Sequence, residues 1–372
     1  MKIGFDAKRI FHNTTGLGNY SRDLVRILDE YYPSNFYYLY NPKPKKVKRL
    51  KLKPSMKEVL PESWIWKKLS SLWRQKAVIS QIKSDNIDVF HGLSGEIPRK
   101  LKQNGIKSVV TIHDLIFMRY PEWYSYFDRK IHFSKFKYAA ENADCVIAIS
   151  EQTKRDIITY LKIPESKIKV IYQGCHNAFK VERTNEEKDS LKKKLDLPEK
   201  FLLNVGTVEK RKNALTIIKS IRNLDIPLVI VGRKTKYYKE IEEYITENNL
   251  QDKVIFLEGL SMEELSTLYQ LAEIFIYPSV FEGFGIPIIE SLFSKTPVIT
   301  TNDGVFPEAG GSHSRYVNPT DVTAMENEIK LLLSSNELRD EITEEGYKYA
   351  GKFRDEVIVQ EINNVYRNLL ED

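Results

Sequence analysis

Short apolar runs alternate with longer amphipathic stretches along almost the whole chain. Ile3–Phe5, Phe36–Tyr40, Val89–His91, Ser108–Ile112, Cys145–Ile149 and Ile168–Ile171 are too short for helices. They are largely apolar rather than strictly alternating, as parallel strands covered on both faces are. Between the first two, Leu24, Val25, Ile27 and Leu28 recur at helical spacing. Tyr172–Glu182 reads as a crossing, and Arg183–Leu197 as charged, helix-prone sequence. The pattern then restarts: Phe201–Val205, Pro227–Gly232, Val254–Leu257, Ile274–Tyr277 and Pro297–Thr300 read as strands with helices between them. Helical sequence runs from about Thr323 to Phe353. A last amphipathic helix follows Asp355, carrying Val357, Val359, Ile362, Val365, Tyr366, Leu369 and Leu370. Strands alternating with helices predict α/β architecture with parallel sheets. Two successive series in 372 residues predict two Rossmann-like, doubly wound domains, with the ligand expected in the cleft they form.

Composition adds bounds rather than identity. At 42% hydrophobic and 29% charged residues, the chain has the make-up of a globular protein. No apolar run approaches the ~20 residues that span a bilayer. The opening Met1–Ala7 reads directly as a strand and not as a signal peptide. Two cysteines, Cys145 and Cys175, sit in apolar or strand-edge contexts and fit neither a disulfide framework nor a zinc site, so a cytoplasmic location is expected. A net charge of +6 favours anionic partners.

The stretch with the most chemistry is Pro278–Glu290, P-S-V-F-E-G-F-G-I-P-I-I-E. It follows a short strand and leads into an apolar helix, with Pro287 suited to the first turn. Gly283 and Gly285 allow close approach, and the bare N–H groups of a helix start suit an anion. Glu290, about a turn into the helix, can accept hydrogen bonds from a diol such as a ribose. Glu282 lies in the loop, nearer the far side of a bound phosphate. An ordinary αβ loop with two surface glutamates has the same composition. Lys210, Arg211 and Lys212 cluster at another strand-to-helix turn, where cations can neutralise a diphosphate, although a solvated basic turn would look alike. His113 ends a strand, where open α/β sheets place ligands. Gly16-Leu17-Gly18-Asn19-Tyr20 follows the first strand as a glycine-bearing turn, but it lacks the third glycine of a dinucleotide fingerprint. From Lys43 to Lys76 the chain is basic, with Trp64, Trp66 and Trp73 in its second half. That reads either as a membrane-surface element or as a solvated loop and a helix whose tryptophans pack inward. No recognised nucleic-acid module surrounds it. There is no D-x-D, so the usual metal-holding motif is missing.

Taken together the chain resembles the retaining glycosyltransferases of the GT-B fold, of the large family-4 type. The resemblance rests on Gly16–Tyr20, Thr111–Leu115 (T-I-H-D-L), Ala148–Thr153 (A-I-S-E-Q-T), Val205–Asn213 (V-G-T-V-E-K-R-K-N), Pro278–Glu290 and Pro307–Gly311 (P-E-A-G-G). It implies an acceptor-binding domain over residues 1–180, to which 354–372 returns as a helix, and a nucleotide-sugar-binding domain over 181–353. It implies that Arg211 and Lys212 hold the diphosphate and Glu290 the ribose. Glu282, with the backbone of Gly283, Phe284, Gly285 and Ile286, would meet the donor sugar and phosphate. His113 would lie beside the reacting face of the sugar, and Gly16 and Gly18 in a loop near the phosphates. Thr207 stands where many members carry arginine. No cofactor or metal is implied. The stretch Ile112–Tyr124 is similar to mannosyltransferases, so GDP-mannose is the first donor implied and UDP-sugars the next. The acceptor implied is a glycan or lipid-linked oligosaccharide of a surface polysaccharide, with residues 43–76 a candidate contact with the inner face of the membrane. A nucleotide-sugar epimerase, a phosphorylase and a non-catalytic nucleotide-sugar-binding protein are the competing classes.

Overall fold

The computed structural model describes residues 1–44 and 50–371. By its contacts the chain divides into two units, Met1–Gln173 with Asp355–Asp372, and Gly174–Arg354. Gly174–Lys180, expected in the first half, belongs to the second: Phe179 is buried edge-on against Tyr269, and the Ala178 carbonyl accepts from Ser266 Oγ at 2.7 Å.

Unit 1 is built on seven parallel strands: β1 (Lys2–Asp6), β2 (Phe36–Tyr40), β3 (Met56–Val59), β4 (Val89–Gly92), β5 (Lys107–Ile112), β6 (Cys145–Ala148) and β7 (Ile168–Val170). They lie in the order β3-β2-β1-β4-β5-β6-β7. Every residue of β4 and β6 is buried, because apolar clusters cover both faces of the sheet. The edge strand β3 is not evident in the apolar pattern; half exposed, it carries only Met56 and Val59 as buried positions inside a lysine-rich stretch. Four helices of this unit matter below: α1 (Lys8–His12), α2 (Gly16–Tyr31), α3 (Trp64–Lys68) and α4 (Tyr126–Asn142).

The C-terminal helix, Asp355–Glu371, packs on α2 of unit 1. Its buried stripe is Ile358, Val359, Ile362 and Tyr366, in one cluster with Leu24, Ile27 and Leu28. Val357 and Leu370, expected on that stripe, face solvent. Asp355 at its start pairs with Arg26 at 3.1 Å.

Unit 2 repeats the scheme with β8 (Leu202–Val205), β9 (Leu228–Val231), β10 (Val254–Leu257), β11 (Ile274–Tyr277), β12 (Val298–Thr301) and β13 (Arg315–Val317), all parallel, in the order β10-β9-β8-β11-β12-β13. Its helices include α5 (Asn185–Leu195), α6 (Met262–Leu271) and α7 (Ile286–Phe293). Thr184 and Ser261 start α5 and α6 with capping boxes closed by Glu187 and Glu264. In each sheet the strand order reverses once, at β1/β4 in unit 1 and at β8/β11 in unit 2. The crevice outside the carboxyl ends of such strands is the general ligand position in open α/β sheets.

The basic segment resolves into different environments. Trp73 is buried and its indole N–H donates to Gln81 at 2.8 Å. Trp64 is 67% exposed and Ile65 55%, so the tryptophans do not all pack inward. Lys45, Lys46, Lys48 and Arg49 lie outside the described residues. Among the described residues no helix is long and apolar enough to cross a membrane.

Candidate functional site

In unit 2 the loops after β8 and β11 meet at the strand reversal. Val280 N–H donates to the Arg211 carbonyl at 2.9 Å, and the Arg211 guanidinium donates back to the Phe281 carbonyl. Asn213, with φ near +59°, donates to the carbonyls of Pro278 (3.3 Å) and Pro319. This doubly tied pair of loops carries the expected cations onto one carboxylate. Glu282 Oε1 lies 2.8 Å from Arg211 Nη1, pairs with the Lys212 ammonium and accepts from Tyr277 Oη at 3.0 Å. Glu209 takes the other face of the guanidinium at 2.7 Å.

Burial by itself would raise the Glu282 carboxyl, but the Lys212 and Arg211 charges outweigh it and hold the group down at about 2. Burial would likewise lower Arg211, and Glu282 instead drives it above its ordinary value. Tyr277, buried beside Glu282, is pushed far up and stays a donor. Both expected phosphate-binding cations are therefore engaged by Glu282.

Gly285 is the N-cap of α7 at φ +112°, a conformation that L side chains rarely adopt. It turns the chain so that Ile286 and Pro287 open the helix. Phe284 is buried edge-on against Phe353 at 5.5 Å, so of this residue only the backbone faces the loop. Glu290 stands one turn into α7, half buried, and accepts from Tyr269 Oη at 3.1 Å.

In unit 1, His113 follows β5 and is buried. Its Nε2–H donates to the Leu93 carbonyl at 2.9 Å, which leaves Nδ1 to accept from the Gln173 amide at 3.1 Å. Tyr20 packs edge-on against the ring, centroids 4.6 Å apart, and Thr153 Oγ1 donates to the His113 carbonyl at 3.0 Å. Burial pushes the ring down to about 4; the bond to Leu93 opposes that and the Arg9 charge adds to it. His113 is thus a neutral imidazole with both nitrogens occupied, and a bond from its ring to a sugar hydroxyl has to replace one of these two. Behind it, His91 joins Tyr366 of the C-terminal helix (2.6 Å) to Thr111 (2.8 Å), and Tyr20 Oη reaches the same Thr111 oxygen at 3.3 Å.

Gly16 and Gly18 are not in a loop. Both lie in the first turn of α2, because Asn13 folds back over the helix start and its Oδ1 accepts from the N–H groups of Thr15 (2.9 Å) and Gly18 (3.1 Å). A Cβ at Gly18 would lie 2.1 Å from the Asn13 carbonyl oxygen, whereas one at Gly16 would meet nothing. The close approach at Gly18 is made by the chain's own backbone, and Tyr20, half a turn on, links this helix start to His113.

The expected residues fall into two groups: Arg211, Lys212, Glu282, Gly283–Ile286 and Glu290 on neighbouring elements of unit 2, and Gly16, Gly18 and His113 on unit 1. The supporting side chains Tyr269, Tyr277, Gln173 and Asn13 escape a motif reading, and the Gly16–Tyr20 stretch does not disclose the contact of Tyr20 with the His113 ring. Among the described residues no group of three or more His, Cys, Asp or Glu side chains is disposed to hold a metal ion.

Two family descriptions match this chain: Glycosyltransferase Family 4 over residues 37–178 and Glycosyl transferases group 1 over residues 185–349. The O-antigen chain mannosyltransferase RfbU of Salmonella typhimurium is 31% identical over 224 residues, which is 59% of each chain. The chain thus spans well under two thirds of that relative's length. Sucrose-phosphate synthase of Thermosynechococcus elongatus superposes with a TM-score of 0.81 at 21% identity, covering 100% of this chain and 99% of that one. Anabaena Alr3699/HepE, solved in complex with UDP, superposes at 0.78 and 17% identity, covering 99% and 100%. At these identities the superpositions establish the fold.

Proposed function

The chain belongs to the glycosyltransferases of the GT-B, family-4 type, and from that membership we propose that it is a retaining hexosyltransferase of surface polysaccharide biosynthesis. The donor proposed is a nucleotide-sugar, GDP-mannose first, in line with the mannosyltransferase name of the Salmonella relative. The UDP held by HepE keeps a UDP-sugar as the second reading. The acceptor is a glycan or lipid-linked oligosaccharide bound by unit 1.

The observation that carries this is the arrangement at β8/β11: two cations, a helix N-terminus and a carboxylate one turn into that helix, on neighbouring elements. Arg211, Lys212 and the first N–H groups of α7 stabilise the leaving diphosphate without a metal ion. Glu290, held by Tyr269, accepts from the ribose diol. In the step itself the anomeric C1–O bond to the diphosphate breaks as the acceptor oxygen bonds C1 on the same face. The acceptor proton passes to the departing phosphate oxygen, and no protein carboxylate becomes the nucleophile. Glu282 and His113 orient the donor sugar.

Thermal shift of the full chain against UDP, GDP, ADP, CMP and dTDP, in EDTA, tests the donor and the metal independence together. One nucleoside diphosphate at a hundredfold over its Kd adds about 2.7 kcal/mol of stability. No shift with any of them in EDTA or in magnesium would overturn the donor site and favour a non-catalytic protein. A shift that needs magnesium would overturn metal independence.

For the membrane, the supporting observation is the exposed Trp64, Ile65, Leu69 and Leu72 beside Lys67 and Lys68. Co-sedimentation with anionic vesicles is expected to be lost in Trp64→Ala/Ile65→Ala; unchanged sedimentation of that variant would remove the segment from the interface.

A further inference from the structure

At the β3 edge of unit 1 lies a cleft of about 510 Å³, within the ~300–1,000 Å³ of small-molecule sites. Glu62 and Ser63 enter it just after β3, Trp66 from α3, and Ser80 and Gln81 from the helix Val78–Ser84. Its floor is fixed by hydrogen bonds. Trp73 is buried and gives its indole N–H to Gln81 Oε1 at 2.8 Å; the Gln81 amide in turn donates to the Leu60 carbonyl at 3.1 Å and to Glu62 Oε1 at 3.3 Å. Trp73 opens a π-helical turn, Trp73–Ala77, which also brings Lys76 to the cleft; such turns are frequent at functional sites. Arg74 ties this turn to the sheet. It grips Asp6 at the end of β1, ahead of α1, and reaches Glu96 at 2.8 Å, a carboxylate that Lys135 of α4 approaches at 3.4 Å.

The groups above that floor are left unpaired. Among the described residues the half-buried Trp66 indole donates to nothing and meets no other ring or cation, whereas Lys68 covers the neighbouring Trp64 at 4.1 Å. The exposed Lys76 and Ser80 side chains make no hydrogen bond or ion pair there either. Ser63 Oγ accepts from the Trp66 backbone N–H at 3.4 Å and keeps its own proton to give. Glu62 keeps its second oxygen. This set constrains the ligand. One carboxylate and one ammonium cancel, so the cleft offers no net charge to a phosphate. A purely apolar chain would strip water from both charges without replacing it. Donors, acceptors and hydroxyls that serve as either stand around an indole face. A neutral sugar ring uses all of them, its hydroxyls on the polar groups and its C–H face on the indole.

We propose that this cleft binds a sugar unit of the glycan acceptor at a distance from its reacting end. The proposal deepens the glycosyltransferase reading, on which the link to an acceptor rests. Glu62 follows β3 as His113 follows β5, and the strands are parallel, so both lie toward the carboxyl ends of the sheet. In the order β3-β2-β1-β4-β5 they are four strand spacings apart, about 19 Å. A glycan with its growing end beside His113 reaches the cleft only through several intervening units. The cleft therefore favours long acceptors over short ones.

The test titrates the full chain by calorimetry with α-linked trisaccharides of mannose, glucose and galactose. Wild type is expected to bind at least one of them. Trp66→Ala is expected to weaken that binding about tenfold, as loss of a stacked ring does. Trp66 also packs on the core cluster behind it, so a second variant keeps the test independent of folding. Ser80→Tyr fills the cleft from an exposed position and is expected to fold, to lose trisaccharide binding at least tenfold and to keep nucleoside diphosphate affinity. No binding of any trisaccharide by wild type, or equal binding by wild type and Ser80→Tyr, overturns the site. In that event a loss of anionic-vesicle sedimentation by Ser80→Tyr assigns the cleft to a lipid headgroup instead. In turnover, Ser80→Tyr is expected to raise KM at least fivefold for a long glycan acceptor, with kcat held and the KM of a disaccharide acceptor unmoved. An equal change with both acceptors, or none with either, overturns the proposal. Should no sugar transfer be found with any donor, the glycosyltransferase reading fails by itself, and the titrations still decide the cleft.

Discussion

Both units bury polar groups towards the carboxyl ends of parallel strands, after β8 and β11 in unit 2 and around β4 and β5 in unit 1, yet by opposite chemistry. In unit 2 the centre is ionic: Arg211 and Lys212 close on Glu282, with Tyr277 as a further donor. In unit 1 it is neutral: His113, His91, Gln173, Thr111 and the phenols of Tyr20 and Tyr366 exchange hydrogen bonds, and burial keeps both imidazoles uncharged. A charged cluster is costly to break but responds to an arriving anion. A neutral relay costs less to disturb, holds a ring in one tautomer, and is sensitive to protons.

The largest effects come from removing one member of each centre. His113→Ala is expected to lower turnover about a hundredfold or more, as loss of a preorganised polar contact to a reacting sugar does, while leaving nucleoside diphosphate affinity nearly unchanged. Near-normal turnover would take His113 out of the site. Arg211→Ala takes one of the two cations off the buried Glu282 carboxylate, which keeps Lys212 and Tyr277, and is expected to cost unit 2 about 3 kcal/mol and to weaken nucleoside diphosphate binding. All four tryptophans, Trp64, Trp66, Trp73 and Trp123, lie in unit 1. Their fluorescence therefore follows that unit alone, and far-UV circular dichroism follows both. If Arg211→Ala moves the two denaturation curves equally, the ionic centre is not local to unit 2.

Acidification separates the units next. His113 and His91 titrate at about 4 and about 3, below the ordinary 6.5. A depressed pKa in the folded state gives stability that is complete above pH 6.5 and is lost as the pH falls through those values, since the unfolded chain takes up protons that the native one refuses. Between pH 7 and 5.5 the two rings together withdraw about 2 kcal/mol from unit 1. Glu282, depressed from 4.5 to about 2, gives stability that is complete above pH 4.5 and lost only below it. Over the same interval unit 2 loses nothing from Glu282. Tryptophan fluorescence is thus expected to report destabilisation in a range where the unit 2 transition holds still; the reverse order would contradict the charge states of both centres.

How far the sequence discloses this follows from distance along the chain and from burial. Strands covered on both faces, such as Leu202–Val205 and Ile274–Tyr277, announce themselves as apolar runs. Of the edge strands, Ile168–Val170 and Val254–Leu257 still show as apolar runs, whereas Met56–Val59 and Arg315–Val317, with two and one buried positions, do not. Glu282 with Glu290, and the Lys210–Lys212 turn, are local patterns visible in thirteen and three consecutive residues. What holds them is not local: Tyr269 comes to Glu290 from 21 residues away and Gln173 to His113 from 60. Nor does a glycine disclose what fills the space it leaves. At Gly18 that is Asn13, five residues back, rather than a ligand.

The smallest expected effect sharpens the comparison most, because it isolates the neutral relay from both catalysis and charge. Tyr366→Phe removes one hydroxyl from the C-terminal helix and leaves His91 Nδ1 without its partner at 2.6 Å. The ring keeps Thr111 and its burial, so no charge is uncovered, and the cost is that of one buried hydrogen bond, about 1 kcal/mol. In an ionic centre the equivalent deletion costs several times more, so a loss near that of Arg211→Ala would mean that His91 is charged in the native state. With His91 neutral, the variant is expected to unfold earlier by fluorescence at pH 7 and to leave nucleoside diphosphate binding in unit 2 untouched. Any fall in turnover beyond the stability loss would arise through Thr111 and Tyr20, the two groups that connect this helix to His113.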